Sequence, residues 1–459
     1  MGDAASLSTI SPMTGETIER YEHTTDERLE AVLSNARAAQ ERWAQTSVEQ
    51  RVAAIGRLAT VLADGRQAFA EQIVSEMGKP LAQALSEIDK CVLTCQYYVE
   101  NLPAMLEPRT VDVSPDLARV HLRPLGVIYA ILPWNYPWWQ VIRAMLPAIG
   151  AGNTVILKHA DSVTGTAYTI EKTLLAAFGE RVLSTVVLPP SRVSAVIADS
   201  RIAAVTFTGS ERVGAIIGQA AGAALKKCVL ELGGSDPFVI LDDADVDRAA
   251  AAAVRSRFLN NGQSCIAAKR LLVHRRLRDD VVDALRSHVG ALIVGDPFDP
   301  ETEVGPLARF DLRDSLVDQR DRAATGGARV LASVSAPSGP GAWFSPMIME
   351  VDDAASPLFQ EETFGPLGAL TTFDTDEEAI GLANNTPYGL SSSIWSVNID
   401  RAQRLSARVQ AGSVFINAIS VSDPRLPVGG VKASGYGREL GEWGVTEFSN
   451  VQAVRVGSA

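Results

Sequence analysis

From residue 126 to residue 210 the chain repeats one pattern: a short β-rich apolar run, a turn, and a stretch with helical spacing. The runs read GVIYAIL, NTVILK, STVVLP and AAVTFTGS. Runs of this kind are buried on both faces when they form strands, and helical segments between them impose parallel pairing through crossovers. The pattern predicts an open α/β sheet. A second series, DPFVILDDAD, RLLVH, SSSIWS and GSVFINA, alternates with helical stretches such as DVDRAAAAAVRSRF and LRDDVVDALRSHVG. Two α/β lobes, joined near VLELGGSDP, follow from the pair of series. Upstream, residues 26–102 carry apolar side chains at three- and four-residue spacing and read as helices. An extended excursion, AMLEPRTVDVSPDLARVHLRPLG, separates them from the first series. The tail, SGYGRELGEWGVTEFSNVQAVRV, is amphipathic and then alternates like a strand. A lone terminal strand often pairs with another subunit.

A length of 459 residues exceeds what one ordinary core serves, in keeping with two lobes. Lys and Arg number 42 against 54 Asp and Glu, a formal charge of −12 that repels nucleic acid and anionic membrane surfaces. Cysteines occur only at 91, 95, 228 and 265, without the spacing of a disulfide scaffold, which fits a reducing compartment. Cys91 and Cys95 share one helix face and lack nearby metal-ligand partners, so packing is their expected role. No apolar run approaches the ~20 residues that span a bilayer, and the start lacks a basic n-region with an apolar h-region. Met1-Gly2-x-x-x-Ser6 matches a myristoylation pattern, but no basic cluster follows to supply a second anchor. A soluble, cytoplasmic protein without a metal, a membrane or a nucleic-acid partner is expected.

Four stretches could carry chemistry, and each alone also has a purely structural explanation. No strand leads into G-x-G-x-x-G, but AAVTFTGSERVG places Gly209-Ser210 between a strand and a helix, where backbone N–H groups form an anion site. LPWNYPWW holds Trp134, Asn135 and Tyr136 between prolines that restrict the backbone. VLELGGSDP sets Glu231 at the end of an apolar run. FLNNGQSCIAAKR sets Cys265 among small and polar residues, and a thiolate nucleophile needs a lowered pKa or a partner base.

In chain order, Pro133-Trp134-Asn135-Tyr136-Pro137, Lys158, Phe207-Thr208-Gly209-Ser210, Glu231-Leu232-Gly233-Gly234, Gly262-Gln263-Ser264-Cys265, Glu362-Thr363-Phe364-Gly365-Pro366 and GGVKASGYGRELGEWG together resemble the aldehyde dehydrogenase superfamily. The resemblance covers essentially the whole chain. It implies an α/β fold of two open lobes, a Rossmann-like cofactor-binding domain and a catalytic domain, plus a small β oligomerisation arm of a homodimer or homotetramer. Mapped here, residues 1–106 and 126–229 form the first domain, 230–430 the second, and 107–125 with 431–459 the arm.

The resemblance also implies roles. Cys265 is the nucleophile that forms a thiohemiacetal and then a thioester. Asn135 stabilises the oxyanion, and Glu231 is the base that activates water for hydrolysis. Cofactor positions are Trp134, Lys158, Asp161, Gly209, Ser210, Leu232, Glu362 and Phe364. Glu439 matches a position linked to ordering the site. Where the family commonly reads Lys-Pro-Ser/Ala-x, this chain reads Lys158-His159-Ala160-Asp161. A carboxylate there repels a 2′-phosphate, which favours NAD over NADP. Within the family the chain is most similar to bacterial NAD(P)-dependent succinate-semialdehyde dehydrogenases, which implies oxidation of succinate semialdehyde to succinate. Arg143 is then the expected carboxylate ligand, assisted by Arg425 from the loop at the pocket mouth. Leu259 stands where a further arginine is often found, and Trp138 and Trp139 suit other aliphatic or aromatic aldehydes equally well. A catalytically silent binding protein on the same fold is the remaining alternative.

Overall fold

The computed structural model describes residues 6–114 and 116–457; Met1-Gly2 of the acylation pattern lies outside the described residues. An antiparallel pair, Ser6–Ile10 with Thr17–Glu22, precedes four helices. Asp26–Trp43 is capped by the Thr25 hydroxyl, and Val48–Asp64 by a reciprocal box between Ser47 and Gln50. The helix Leu81–Leu106 buries Ala84, Ile88, Cys91, Cys95, Tyr98 and Leu102 at the expected three- and four-residue steps. Burial raises both cysteine thiols well above the ordinary range, so they pack as neutral thiols, as their spacing predicts.

Both predicted sheets form. The first runs, in spatial order, Gly435–Tyr436, Lys227–Glu231, Ile202–Thr208, Val127–Leu132, Thr154–His159 and Leu183–Thr185. All its pairs are parallel except the one between Gly435–Tyr436 and Lys227–Glu231. From Val127–Leu132 the chain winds outward on one side and returns on the other through Ile202–Thr208. The carboxyl ends of those two strands therefore flank a topological switch point, the crevice in which such sheets bind ligands. The second sheet runs Arg329–Ser333, Met347–Glu350, Leu367–Phe373, Ala268–His274, Asp236–Ile240, Ser391–Trp395 and Ser413–Ile416. A third sheet joins Ser449–Val456, Asp116–Pro124 and Arg109–Val113, all antiparallel, so the excursion and the tail pair as expected.

The expected boundaries need correction in two places. The strand Lys227–Glu231 belongs wholly to the first sheet, which therefore runs past residue 229. In the tail, only Ser449–Val456 joins the small sheet. Gly435–Tyr436 adds an edge strand to the first sheet, and the helix Gly441–Glu447 packs on the helix Pro137–Gly150. Of the STVVLP run only Ser184 and Thr185 are strand, as the end of Leu183–Thr185.

A buried ion pair ties the helices to the switch point. Lys79 Nζ bonds Glu87 and lies 3.8 Å over the Tyr136 ring. The other Glu87 oxygen accepts from the Trp138 and Trp139 N–H groups at 2.9 and 3.0 Å, which caps the first turn of Pro137–Gly150. Lys79→Met would strand that carboxylate in the core. A loss of about 3 kcal/mol is expected, read as a lower midpoint in urea unfolding.

Candidate active site

The strand Lys227–Glu231 ends the first sheet and Asp236–Ile240 begins the second, so residues 232–235 are all that links the lobes there. The carboxyl edge of one sheet consequently faces the amino edge of the other. Glu231 is the last residue on the first edge. Cys265 precedes Ala268–His274 and Glu362 precedes Leu367–Phe373, neighbouring strands on the second edge.

The backbone before Cys265 is forced into shape. Asn260, Asn261 and Gly262 all take left-handed φ, at 59°, 56° and 70°. Asparagine tolerates that region when its side chain finds local partners. Asn261 Nδ2 donates to the carbonyls of Gly78 and Pro306 at 2.9 and 2.8 Å, and its Oδ1 accepts from Gly305 N at 2.7 Å. A Cβ on Gly262 would lie 2.4 Å from the Gly365 carbonyl, so no larger residue fits. Buried Arg257 closes the turn by donating to the carbonyls of Gly262, at 2.7 Å, and Gly365.

That turn reaches Asn135 directly. Asn135 Nδ2 donates to the Gln263 carbonyl at 3.1 Å, and Asn260 Nδ2 donates to the Asn135 carbonyl at 2.9 Å. Gln140 Nε2 donates to Asn135 Oδ1 at 3.4 Å, which fixes the amide orientation and leaves one Nδ2 hydrogen for an oxyanion. His159, the departure in the Lys-His-Ala-Asp stretch, is a brace. Its Nε2 lies 2.9 Å from the Pro137 carbonyl, and its Nδ1 lies 3.1 Å from the Leu132 carbonyl and 3.0 Å from Ala160 N. Burial lowers its pKa to about 4, so it holds the loop carrying Asn135 as a neutral ring.

Beside Cys265, Arg143 lies between two buried carboxylates, 2.5 Å from Glu439 and 3.7 Å from Glu231. Burial pushes the Cys265 thiol up to about 12, against the pull of Arg143 and Lys269. Burial also raises Glu231 above the usual carboxylate range; Arg143 opposes this and Glu439 adds to it. At rest the sulfur is a protonated thiol, and Glu231 is poised to exchange a proton near neutral pH. Cys265 opens on a cavity of about 240 Å³ whose lining includes Arg143, Trp139, Lys90, Arg255 and Ser422.

On the other side of the junction, the residues fit a dinucleotide. Ser210 starts the helix Glu211–Ala223 without capping it by its own side chain, which leaves the first N–H groups for an anion. Gly209 N bonds the Glu231 carbonyl at 3.0 Å, and a Cβ on Gly214 would strike Leu232. Lys158 and Asp161 pair at 3.4 Å and line a cavity of about 530 Å³ with Arg309 and Asp311. Trp134 and Phe364 meet edge to face at 5.8 Å. Glu362 accepts from Gly234 N at 2.9 Å and pairs with Lys269 at 2.7 Å, an orientation suited to a ribose diol.

Lys269 escaped the sequence reading. Fully buried, it donates to the carbonyls of Gly234 and Cys265 and to Glu362, tying the link, Cys265 and Glu362 into one unit. Its only signal was a lysine at the start of an apolar strand, where an unpaired charge could not stay. Arg425 differs from expectation. It is exposed, pairs with Asp423 at 2.6 Å and is not among the residues lining the cavity, because that pair turns its guanidinium to solvent. Arg143 does line the cavity, but its charge is engaged by Glu439 and Glu231.

This geometry coincides with a known family: the chain matches the aldehyde dehydrogenase family over residues 1–454 and belongs to it. Among its relatives, the succinate semialdehyde dehydrogenase [NAD(P)+] of Escherichia coli strain K12 is 42% identical over 97% of this chain and 96% of its own. The NADP(+) succinate-semialdehyde dehydrogenase 1 of Mycobacterium tuberculosis strain H37Rv is 41% identical over 98% and 99%. The crystal structure of succinic semialdehyde dehydrogenase from Streptococcus pyogenes with NADP+ superposes with a TM-score of 0.95 at 36% identity, over 98% and 99% of the chains.

The raised Glu231 pKa has a kinetic signature. Its deprotonated form grows with pH, so kcat should climb along an acid limb centred well above the ~4.3 of an ordinary glutamate. Glu231→Gln should remove that limb and lower kcat about 10²–10³-fold, while a burst of reduced nicotinamide persists. An unchanged pH–rate profile in the variant would exclude Glu231 as the base.

Proposed function

We propose that this enzyme oxidises succinate semialdehyde to succinate with NAD(P)+. The observation that carries the reading is the charge of the cavity beside Cys265. Its lining holds the cations Lys90 and Arg255, beside Arg143 whose charge Glu439 and Glu231 engage, while its one carboxylate, Glu87, is spent on Lys79 and two backbone N–H groups. Such a cavity favours an aldehyde with an anionic far end. The names of the relatives agree.

In this reading the Cys265 sulfur bonds to the aldehyde carbon as its proton leaves to solvent water, so Glu231 stays free for the hydrolytic step. Oxygen takes the negative charge and is held by Asn135 Nδ2 and the Cys265 backbone N–H. The nicotinamide, when bound, supplies the hydride acceptor that converts this adduct to the thioester on Cys265. Glu231 then takes a proton from water, the water oxygen attacks the thioester carbon, and the sulfur leaves with the bonding pair. Trp134 and Phe364 orient the ring side, and Glu362, fixed by Lys269, orients the ribose.

For the nucleotide, both forms are accepted in our reading. The leaning toward NAD rests on Asp161, yet its side chain is 53% exposed and paired with Lys158, so its repulsion is screened. Arg309 lines the same cavity and offers a positive charge to a phosphate. The assembly is a homodimer or homotetramer through the small sheet, whose outer strand Ser449–Val456 leaves Val451, Val454 and Val456 exposed on an unpaired edge. Free thiols at all four cysteines suit the reducing cytoplasm.

A panel of succinate semialdehyde, butanal and benzaldehyde tests the substrate. The carboxylated aldehyde should lead in kcat/KM by roughly 10–100-fold, the value of a charge-assisted contact. Parity across the panel would defeat the reading. Asp161→Ser should shift the NADP+ to NAD+ ratio of kcat/KM upward by about five-fold, and no shift would mean that Asp161 does not discriminate.

A further inference from the structure

We propose that Lys90, not Arg143, is the group that binds the substrate's carboxylate, with Arg255 as a second cation at the cavity mouth. The proposal rests on the succinate-semialdehyde reading and deepens it. It also makes Arg143 a positioning residue for Glu231 and Glu439.

Three observations carry it. The first is that Arg143 is already engaged. Two buried carboxylates face its guanidinium, at 2.5 and 3.7 Å, and a third anion there would add to the acid excess that the buried cluster already carries.

The second is that Lys90 is a cation without a counter-ion. Its ammonium is half-buried on the helix Leu81–Leu106 and lies 4.2 Å over the Trp139 ring. It donates to the Ser422 hydroxyl at 2.6 Å, and among the described residues no carboxylate lies within 4.0 Å of it. Glu87, one turn back on the same helix, is taken by Lys79 and by Trp138 and Trp139 N–H. Asp423 pairs with Arg425. Burial, with Arg143 adding to it, lowers the Lys90 pKa to about 8, the sign of a charge that its surroundings do not satisfy. Three donor hydrogens on an ammonium, only one of them used by Ser422, leave room for a carboxylate.

The third is placement. Lys90, Trp139, Ser422 and Cys265 line the same cavity of about 240 Å³, a volume matched to a short chain between an aldehyde and a carboxylate. Trp139 and the Ser422 contact hold the lysine stem, so little side-chain freedom remains to be lost on binding. Arg255, on the helix Val246–Phe258, lines the same space from the other side. It is exposed and has no ion-pair partner among the described residues, so it suits capture at the mouth more than tight binding.

The test compares succinate semialdehyde and butanal on the wild type, Lys90→Met, Lys90→Arg and Arg143→Lys. Lys90→Met should lose about 100-fold in kcat/KM for succinate semialdehyde, mostly through KM, and at least ten-fold less than that for butanal. Lys90→Arg should recover most of the loss, because the charge is kept. Arg143→Lys should lower kcat for both aldehydes alike. Equal losses of the two aldehydes in Lys90→Met, or an undiminished rate with succinate semialdehyde, would overturn the proposal, as would an Arg143→Lys loss confined to the carboxylated substrate. The wild-type ratio of the two aldehydes judges the substrate reading, whereas the change in that ratio on substitution judges Lys90, so the two fail separately.

Discussion

Residues 232–235 join the end of one parallel sheet to the start of the other, and the chemistry is built on that short link. So brief a connection leaves no freedom to displace the lobes without breaking the pairing on either side. A Cβ on Gly234 would lie 2.5 Å from the Cys265 carbonyl oxygen, which is why the link can pass so close to the nucleophile only as glycine. Lys269 secures the same contact from the other side by bonding the carbonyls of Gly234 and Cys265.

Charge is arranged in two paired groups about this link. Lys269 answers Glu362 on the cofactor side, and Arg143 answers Glu231 and Glu439 behind the sulfur. Lys269, Arg143, Glu231 and Glu439 are buried, so each needs its counter-charge. The Arg143 group still carries more acid than base, and that excess, together with burial, raises Glu231 into the range where a carboxyl can both give and take a proton. In the proposed reading the site obtains a usable base from an ordinary side chain by placing it badly for ionisation.

Much of this was legible in residues read singly. The apolar runs from GVIYAIL onward marked the strands because a doubly buried strand admits little else, and the VLELGGSDP junction marked where the lobes meet. Asn135, Glu231 and Cys265 stood out through their neighbours: prolines, glycines and small polar residues that only a constrained loop needs. The tail was harder. Its glycines and aromatics do not state which sheet each part will join, and Gly435–Tyr436 went to the first sheet while Ser449–Val456 went to the small one. Lys90 was invisible, since a lysine on a helix carries no sign of the cavity it will line, and Lys269 showed only as a lysine heading an apolar strand.

The sequence by itself determined the alternation of strands and helices, the order of the motifs, and which side chains are the candidates for reaction, since each depends on local periodicity or on residue chemistry. The tertiary structure alone decided which charges face one another. Glu231, Arg143 and Glu439 are separated by 88 and 208 residues of chain, taken as 231 − 143 and 439 − 231, and only the packing of both lobes brings them within ion-pair distance. Electrostatic partnership falls off over a few ångströms of space and is indifferent to distance along the backbone, so it could not be read before the fold was known.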